Sequence, residues 1–285
     1  MKSIIYVLVA VILFGMVATG LKSKPNNRHK ILIQSTESQI TASELTRSVD
    51  IISARLKSFG ADKYEVKAIG KNQIAVILAN DNEMKLVQRL ITQKGVLEFY
   101  ETWNYLQIKQ LLKNDTQLLS LLQSKTPRDS SAEIGCTTPS RINLVNDYLK
   151  ATQPGQKCKF VWTELFEKSE VCLYALKPDE RNGALLTGSA IESIMAKTDS
   201  TSRRNYIDIR FKKSAIDLWA EATKRNMHNS IALLLDDKVL FAPSIRSEIN
   251  GGNCEITGNF TQRELRFIAA IGNNGELPVG FVLLK

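Results

Sequence analysis

Asp236 and Asp237 stand side by side directly after the apolar run Ile231-Ala-Leu-Leu-Leu235. Paired carboxylates can share a proton or hold a divalent cation, the chemistry of acid/base and metal-assisted reactions. Their adjacency argues for a humbler role. Consecutive residues at a hairpin tip point apart, and Asp forms turns because its side chain bonds its own backbone. Cys254 beside Glu255 is the other nucleophile–carboxylate neighbour pair, and no base stands at a readable spacing from it. Asn250-Gly251-Gly252-Asn253 has the composition of a tight turn, which is far commoner than the anion-binding nest it could also form. His29 and His228 are the only histidines, and His29 adjoins an N-terminal apolar run, so a His-based triad lacks its material. There is no GxSxG elbow, no HExxH, no GxxxxGK(S/T) loop and no GxGxxG after a strand. Cys136, Cys158, Cys172 and Cys254 contain no CxxC pair, which argues against zinc. In an oxidising compartment Cys136, Cys158 and Cys172 are favoured to pair among themselves because they share one segment; four buried free thiols are the alternative. No catalytic residue, metal or cofactor is expected.

The elements that carry these residues read as an α+β chain. Residues 31–33 form a short apolar strand, and Thr41-Ala-Ser-Glu44 is a capping box. Leu45, Val49, Ile52, Leu56 and Phe59 then recur at helical spacing until Gly60 ends the helix. Tyr64–Ile69 and Gln73–Leu78 flank a Gly70-Lys-Asn turn. Asp81 reads as the cap of a helix carrying Leu86, Val87, Leu90 and Ile91, and Val96–Glu101 as the last strand of a β-α-β-β-α-β unit, the ferredoxin-like arrangement. Residues 102–182 read as an irregular insert: a Leu-rich helical stretch over 105–122, a polar loop over Ser120–Ser140, a helix over Ser140–Ala151 and mixed signals over Phe160–Leu176. Residues 183–275 read as a second α+β unit. It has a short helix near Ser189–Lys197, a strand Tyr206–Phe211, and a helix with Ala215, Leu218, Trp219 and Ala222 facing inward. A hairpin across Asp236-Asp237, a strand Cys254–Ile256 and a second capping box, Thr261-Gln-Arg-Glu264, come after it. Residues 276–285 end in a strand, Phe281–Leu284, placed to complete the first unit.

Charge and hydropathy bear on where such a chain works. Its 285 residues carry 38 Lys+Arg against 29 Asp+Glu, a net +9. Lys2, Lys22, Lys24, Arg28 and Lys30 supply +5 of it with no acid among residues 1–30. The remainder is only mildly basic and has no dense basic run with interleaved aromatics, which excludes a nucleic-acid partner. Ile4–Ala18 carries no charge, so residues 1–28 are expected to be a signal peptide or a single transmembrane anchor, with Ala18-Thr19-Gly20 acceptable for cleavage. The flanking charges by themselves would put the C-terminal side in the cytoplasm.

A family resemblance reverses that orientation. Leu186-Thr187-Gly188, Phe211 through Thr223, Ile231 through Leu235-Asp236, Ala242-Pro243, Gly251-Gly252, Gly258, Phe260 and Gly275-x-Leu277-Pro278 resemble the first periplasmic domain of SecD, a membrane subunit of the bacterial protein-export machinery. Arg55, Gly60, Gly70 and Ile91 through Phe99 extend the likeness into the first unit. The resemblance implies a ferredoxin-like base, a head inserted into it, and a place in the bacterial cell envelope on the periplasmic side of the inner membrane. The implied partners are unfolded or translocating polypeptide and other export subunits, with the membrane reached through the N-terminal segment. A tethered structural or ligand-binding module is the competing expectation. Asp237 and Ala215 stand where the family has Gly, and the family's later membrane helices do not occur within these residues, so proton-driven translocation is not expected of them alone.

Overall fold

The computed structural model describes residues 28–79, 83–113, 116–152, 158–164, 169–179 and 183–284. The expected N-terminal apolar segment and the Asp81 cap lie outside them. The chain opens with β1 (His29–Ser35), α1 (Ala42–Phe59), β2 (Tyr64–Ile69), β3 (Gln73–Leu78), α2 (Met84–Thr92) and β4 (Leu97–Thr102). Thr41 and Glu44 close both hydrogen bonds of the capping box on α1, and Gly60 ends the helix at φ 91°. Then come α3 (Tyr105–Leu111), α4 (Gln117–Leu122), β5 (Glu133–Thr137), α5 (Ile142–Thr152), β6 (Lys159–Trp162) and β7 (Val171–Lys177). The last third holds β8 (Leu186–Thr187), β9 (Ile191–Thr198), β10 (Asn205–Phe211), α6 (Ile216–Arg225), β11 (Ile231–Leu235), β12 (Lys238–Phe241), β13 (Asn253–Thr257), α7 (Gln262–Asn274) and β14 (Phe281–Leu283).

These strands make three sheets. The first is antiparallel in the order β14-β1-β3-β2, with Ile33 opposite both Leu283 and Ile74. The slot beside β1 therefore belongs to β14. The expectation that Val96–Glu101 completes this sheet is corrected: β4 pairs instead with β11 over five positions and touches β7 and β8. Burial on both faces explains the choice. Leu97 and Phe99 enter the main core, while Tyr100 enters a separate small core, so β4 suits a central strand rather than the end of a two-layer base.

The second sheet, β13-β10-β9, is covered by α7. Here the expected helix over Ser189–Lys197 is a strand. Ile191 and Ile194 are both buried although three residues apart, which mimics a helical step. The register shifts between Arg210 and Phe211 opposite them, and the extra residue of that bulge turns a two-residue period into three. On α6, Trp219, Ala222 and Thr223 are buried after Ala215, but Leu218 is 40% exposed. It lies at the margin of the apolar stripe and not within it.

The third sheet runs β12-β11-β4-β7-β5, with β6 also on β7. Thr163, just past β6, bridges Val239 on β12, and the Glu164 N–H donates to the Val239 carbonyl at 2.8 Å. The path β12-β11-β4-β7-β6 thus closes on itself around Tyr100, Val161, Leu176, Ala232, Leu234 and Val239. The described residues of the expected irregular insert are consequently part of this body. It has its own core of Ile108, Leu122, Ile134, Val145, Trp162 and Leu173. Within the expected Ser120–Ser140 loop lie the end of α4 and all of β5, whose local pattern is weak because its pairing with β7 decides it. The expected unit 183–275 is likewise divided, since β8, β11 and β12 share this sheet with the insert strands.

Candidate functional site

The carboxylates singled out first sit at the tip of the β11–β12 hairpin, where Leu235 faces Lys238. Asp236 and Asp237 take φ of 48° and 60°, the left-handed pair that a two-residue type I′ turn requires. Their side chains part company. Asp237 leans outward and accepts from Lys159 Nζ at 2.7 Å, while that ammonium lies 5.3 Å from the centre of the Tyr100 ring. Asp236 turns inward and accepts from the backbone N–H groups of Gly95 at 2.9 Å and Val96 at 2.8 Å. Its own N–H donates to the Val96 carbonyl at 3.0 Å. Burial pushes the Asp236 carboxyl up, against the pull of those amides and of Arg55. Both carboxylates are occupied in joining segments.

Arg55 completes this junction. It lies on the apolar stripe of α1 and is fully buried. Nη1 donates to the carbonyls of Leu90 (3.2 Å) and Gln93 (2.6 Å), and Nη2 to those of Lys94 (2.8 Å) and Gly275 (2.6 Å). Three of these carbonyls belong to the last turn of α2 or come just after it, where the helix dipole favours a cation. Burial lowers the guanidinium to about 10, while Asp236 and Glu276 oppose that shift. Gly95 is the residue that lets the parts meet. Its φ is 93°, and a Cβ there would stand 2.2 Å from Arg55 Nη2. The Leu277 N–H adds a bond of 2.8 Å to the Lys94 carbonyl. Four segments distant in sequence thus converge: α1, the link from the end of α2 to the start of β4, the β11–β12 turn and the exit from α7.

The other positions picked out by sequence fall into neighbouring groups. Phe211 packs with Trp219 and Phe99 at ring-centre distances of 4.6 and 5.3 Å. Buried Thr223 receives the Ile249 N–H at 2.9 Å, and Gly252, at φ 69°, offers its carbonyl to Phe211. Leu186 and Thr187 pair with Phe99 and Glu98, bringing Gly188 against Leu97. Leu235 ends the buried strand β11, and Ala242 packs on the small core before Pro243. Gly258 lies under the Phe260 ring, which stacks edge-on with Phe241 at 5.6 Å. Half-buried Pro278 leads from Leu277 into β14. The cysteines divide: Cys136 and Cys172 form a disulfide joining β5 to β7, and Cys158 and Cys254 are free thiols pushed up to about 12 by burial. Sequence reading missed Gly95 and Asn273. Gly95 lies in the run Ile91 through Phe99 that carries the resemblance, and there its positive φ was legible only as one more glycine.

Residues 169–279 match the family model of the SecDF P1 head subdomain. In this stretch the chain is similar to the SecDF P1 head. The match starts at β7, which agrees with the strand pairing that binds the insert to the head sheet. The protein translocase subunit SecD of Calditerrivibrio nitroreducens is 26% identical over 239 residues, covering 84% of this chain and 39% of that protein. The SecD of Acidaminococcus fermentans is 30% identical over 147 residues, covering 52% of this chain and 34% of that protein. The chain thus spans well under half the length of these SecD relatives. Among solved structures, SecDF in its super-membrane-facing form gives a TM-score of 0.55 at 21% identity, over 90% of this chain and 29% of that one. A structure of SecDF, a membrane component that enhances protein export, gives 0.53 at 21% identity, over 90% of this chain and 98% of that one. The likeness therefore reaches across the β14-β1-β3-β2 sheet as well as the matched head.

Proposed function

We propose that this chain is a non-catalytic domain of the bacterial cell envelope, held on the periplasmic side of the inner membrane, that assists protein export by contacting unfolded or translocating polypeptide. The observation that carries the reading is the continuity of the likeness: a SecD relative aligns over 239 residues and SecDF structures cover 90% of the chain. The Arg55–Asp236 junction supports it, because its buried groups tie segments to one another and so serve shape rather than turnover. Sequence-tolerant contact with polypeptide needs apolar surface and unpaired strand edges, which bind backbone without reading side chains. Export-machinery subunits are the expected neighbours, and Ile4–Ala18 the expected link to the bilayer.

Photocrosslinking during export tests this. A photoreactive residue placed at exposed Met195 should trap a secreted precursor while it is crossing. Adducts no more abundant than those of an unrelated periplasmic protein carrying the same group would contradict the reading.

A further inference from the structure

β9 is the outer strand of its sheet, and one of its residues has a substitute partner. Asn273, at the end of α7, accepts the Ile194 N–H through Oδ1 at 2.8 Å and donates through Nδ2 to the Ile194 carbonyl, also at 2.8 Å. That is the pair of bonds a residue of an added antiparallel strand would make. The helix comes this close because residue 272 is glycine, where a Cβ would stand 2.3 Å from Ile194 Cδ1. Strand periodicity extends the same edge to a second residue. The pairing of Ser193 through Thr198 with β10 is regular, so the backbone groups that face outward at Ile194 face outward again two residues on, at Ala196. Beside Ala196 a groove of about 330 Å³ opens between β9 and α7, lined by Ser58, Met195, Lys197, Arg266, Ala269 and Asn273. Its small and apolar residues leave room for a main chain, and its ammonium and guanidinium are already turned to Asp208 and Glu83.

We infer that the β9 edge at Ala196 is a seat for an extended polypeptide, added as a strand beside β9 and ending against the Asn273 carboxamide. The occupant is an unfolded peptide backbone, because the groups on offer are an amide donor and acceptor, and because the protein's own carboxamide already fills the adjoining place with the same chemistry. This rests on the proposed contact with polypeptide and assigns it a site.

The test uses the full chain in detergent and a short fluorescein-labelled Val/Thr-rich peptide, read by fluorescence anisotropy. Two changes remove the strand bonds from either side. The same peptide N-methylated throughout has no backbone donors. Ala196→Pro removes the outward N–H, a substitution that edge strands accept when that N–H is unpaired. Each is expected to weaken binding about tenfold or more. Ala196→Pro with an unchanged near-ultraviolet circular dichroism spectrum and unchanged affinity would overturn the inference. Equal binding of the N-methylated peptide would overturn it even if the proline variant fails to fold. Either result, with the parent peptide still bound, leaves polypeptide contact in place at another surface. No binding of the parent peptide removes both.

Discussion

Arg55 is a fully buried charge held by four carbonyls, and Asp236 accepts from Gly95 beside it. Removing one member of such a set strands the others, and a buried group left unpaired costs more than the bond contributed. Asp236→Ala is therefore expected to lower the unfolding free energy by roughly 2–4 kcal/mol, read from a urea titration. Gly95→Ala should cost a similar amount for a different reason, because the new methyl must displace a guanidinium from a position of positive φ. Asp237 gives the opposite expectation. Its φ of 60° suits glycine, and its exposed ion pair with Lys159 contributes little. Asp237→Gly should leave stability unchanged or raise it by up to about 1 kcal/mol. A loss above that would mean the Lys159 contact matters more than its exposure implies.

Among the elements, the insert is held by one covalent tie. Cys136 and Cys172 are 36 residues apart in sequence and join β5 to β7. By the loop-entropy model that closure is worth roughly 3–4 kcal/mol. Reduction, or the double change Cys136→Ser with Cys172→Ser, should open the insert first, and hydrogen exchange should rise in β5 and α5 before β1 and β3. Uniform loosening would count against a separate insert core. The two free thiols give a second readout. With burial raising both to about 12, Cys158 and Cys254 hold almost no thiolate at neutral pH. Maleimide labelling of buried Cys254 should be slow in the folded chain and fast in denaturant, and its rapid labelling when folded would contradict that burial. The elements also show what sequence could convey. Capping boxes at Thr41 and Thr261 marked both long helices because their signal is local. The strand β9 was hidden because a bulge within it, opposite Arg210 and Phe211, reset its period, and β5 because the cysteine pairing it with β7 lies 36 residues away.

At the scale of the molecule, the Asp236-Asp237 turn was readable as a turn, but its bond to Gly95 spans a sequence separation of 141 and no local pattern carries it. β14 also reaches β1 across almost the whole chain, and there the expected return of Phe281–Leu284 to the first sheet is the pairing observed. Most of the residues that carry the resemblance lie on the segments that Arg55, the Phe99–Phe211–Trp219 cluster and the closed strand path gather into one body. That body is proposed to work on polypeptides in transit, and export itself is the most direct measure of it. In a pulse-chase of a secreted precursor in the native host, deleting this chain should prolong the precursor's life, the intact chain should restore processing, and Asp236→Ala should restore it only in part. Identical chase curves with and without the chain would contradict the account.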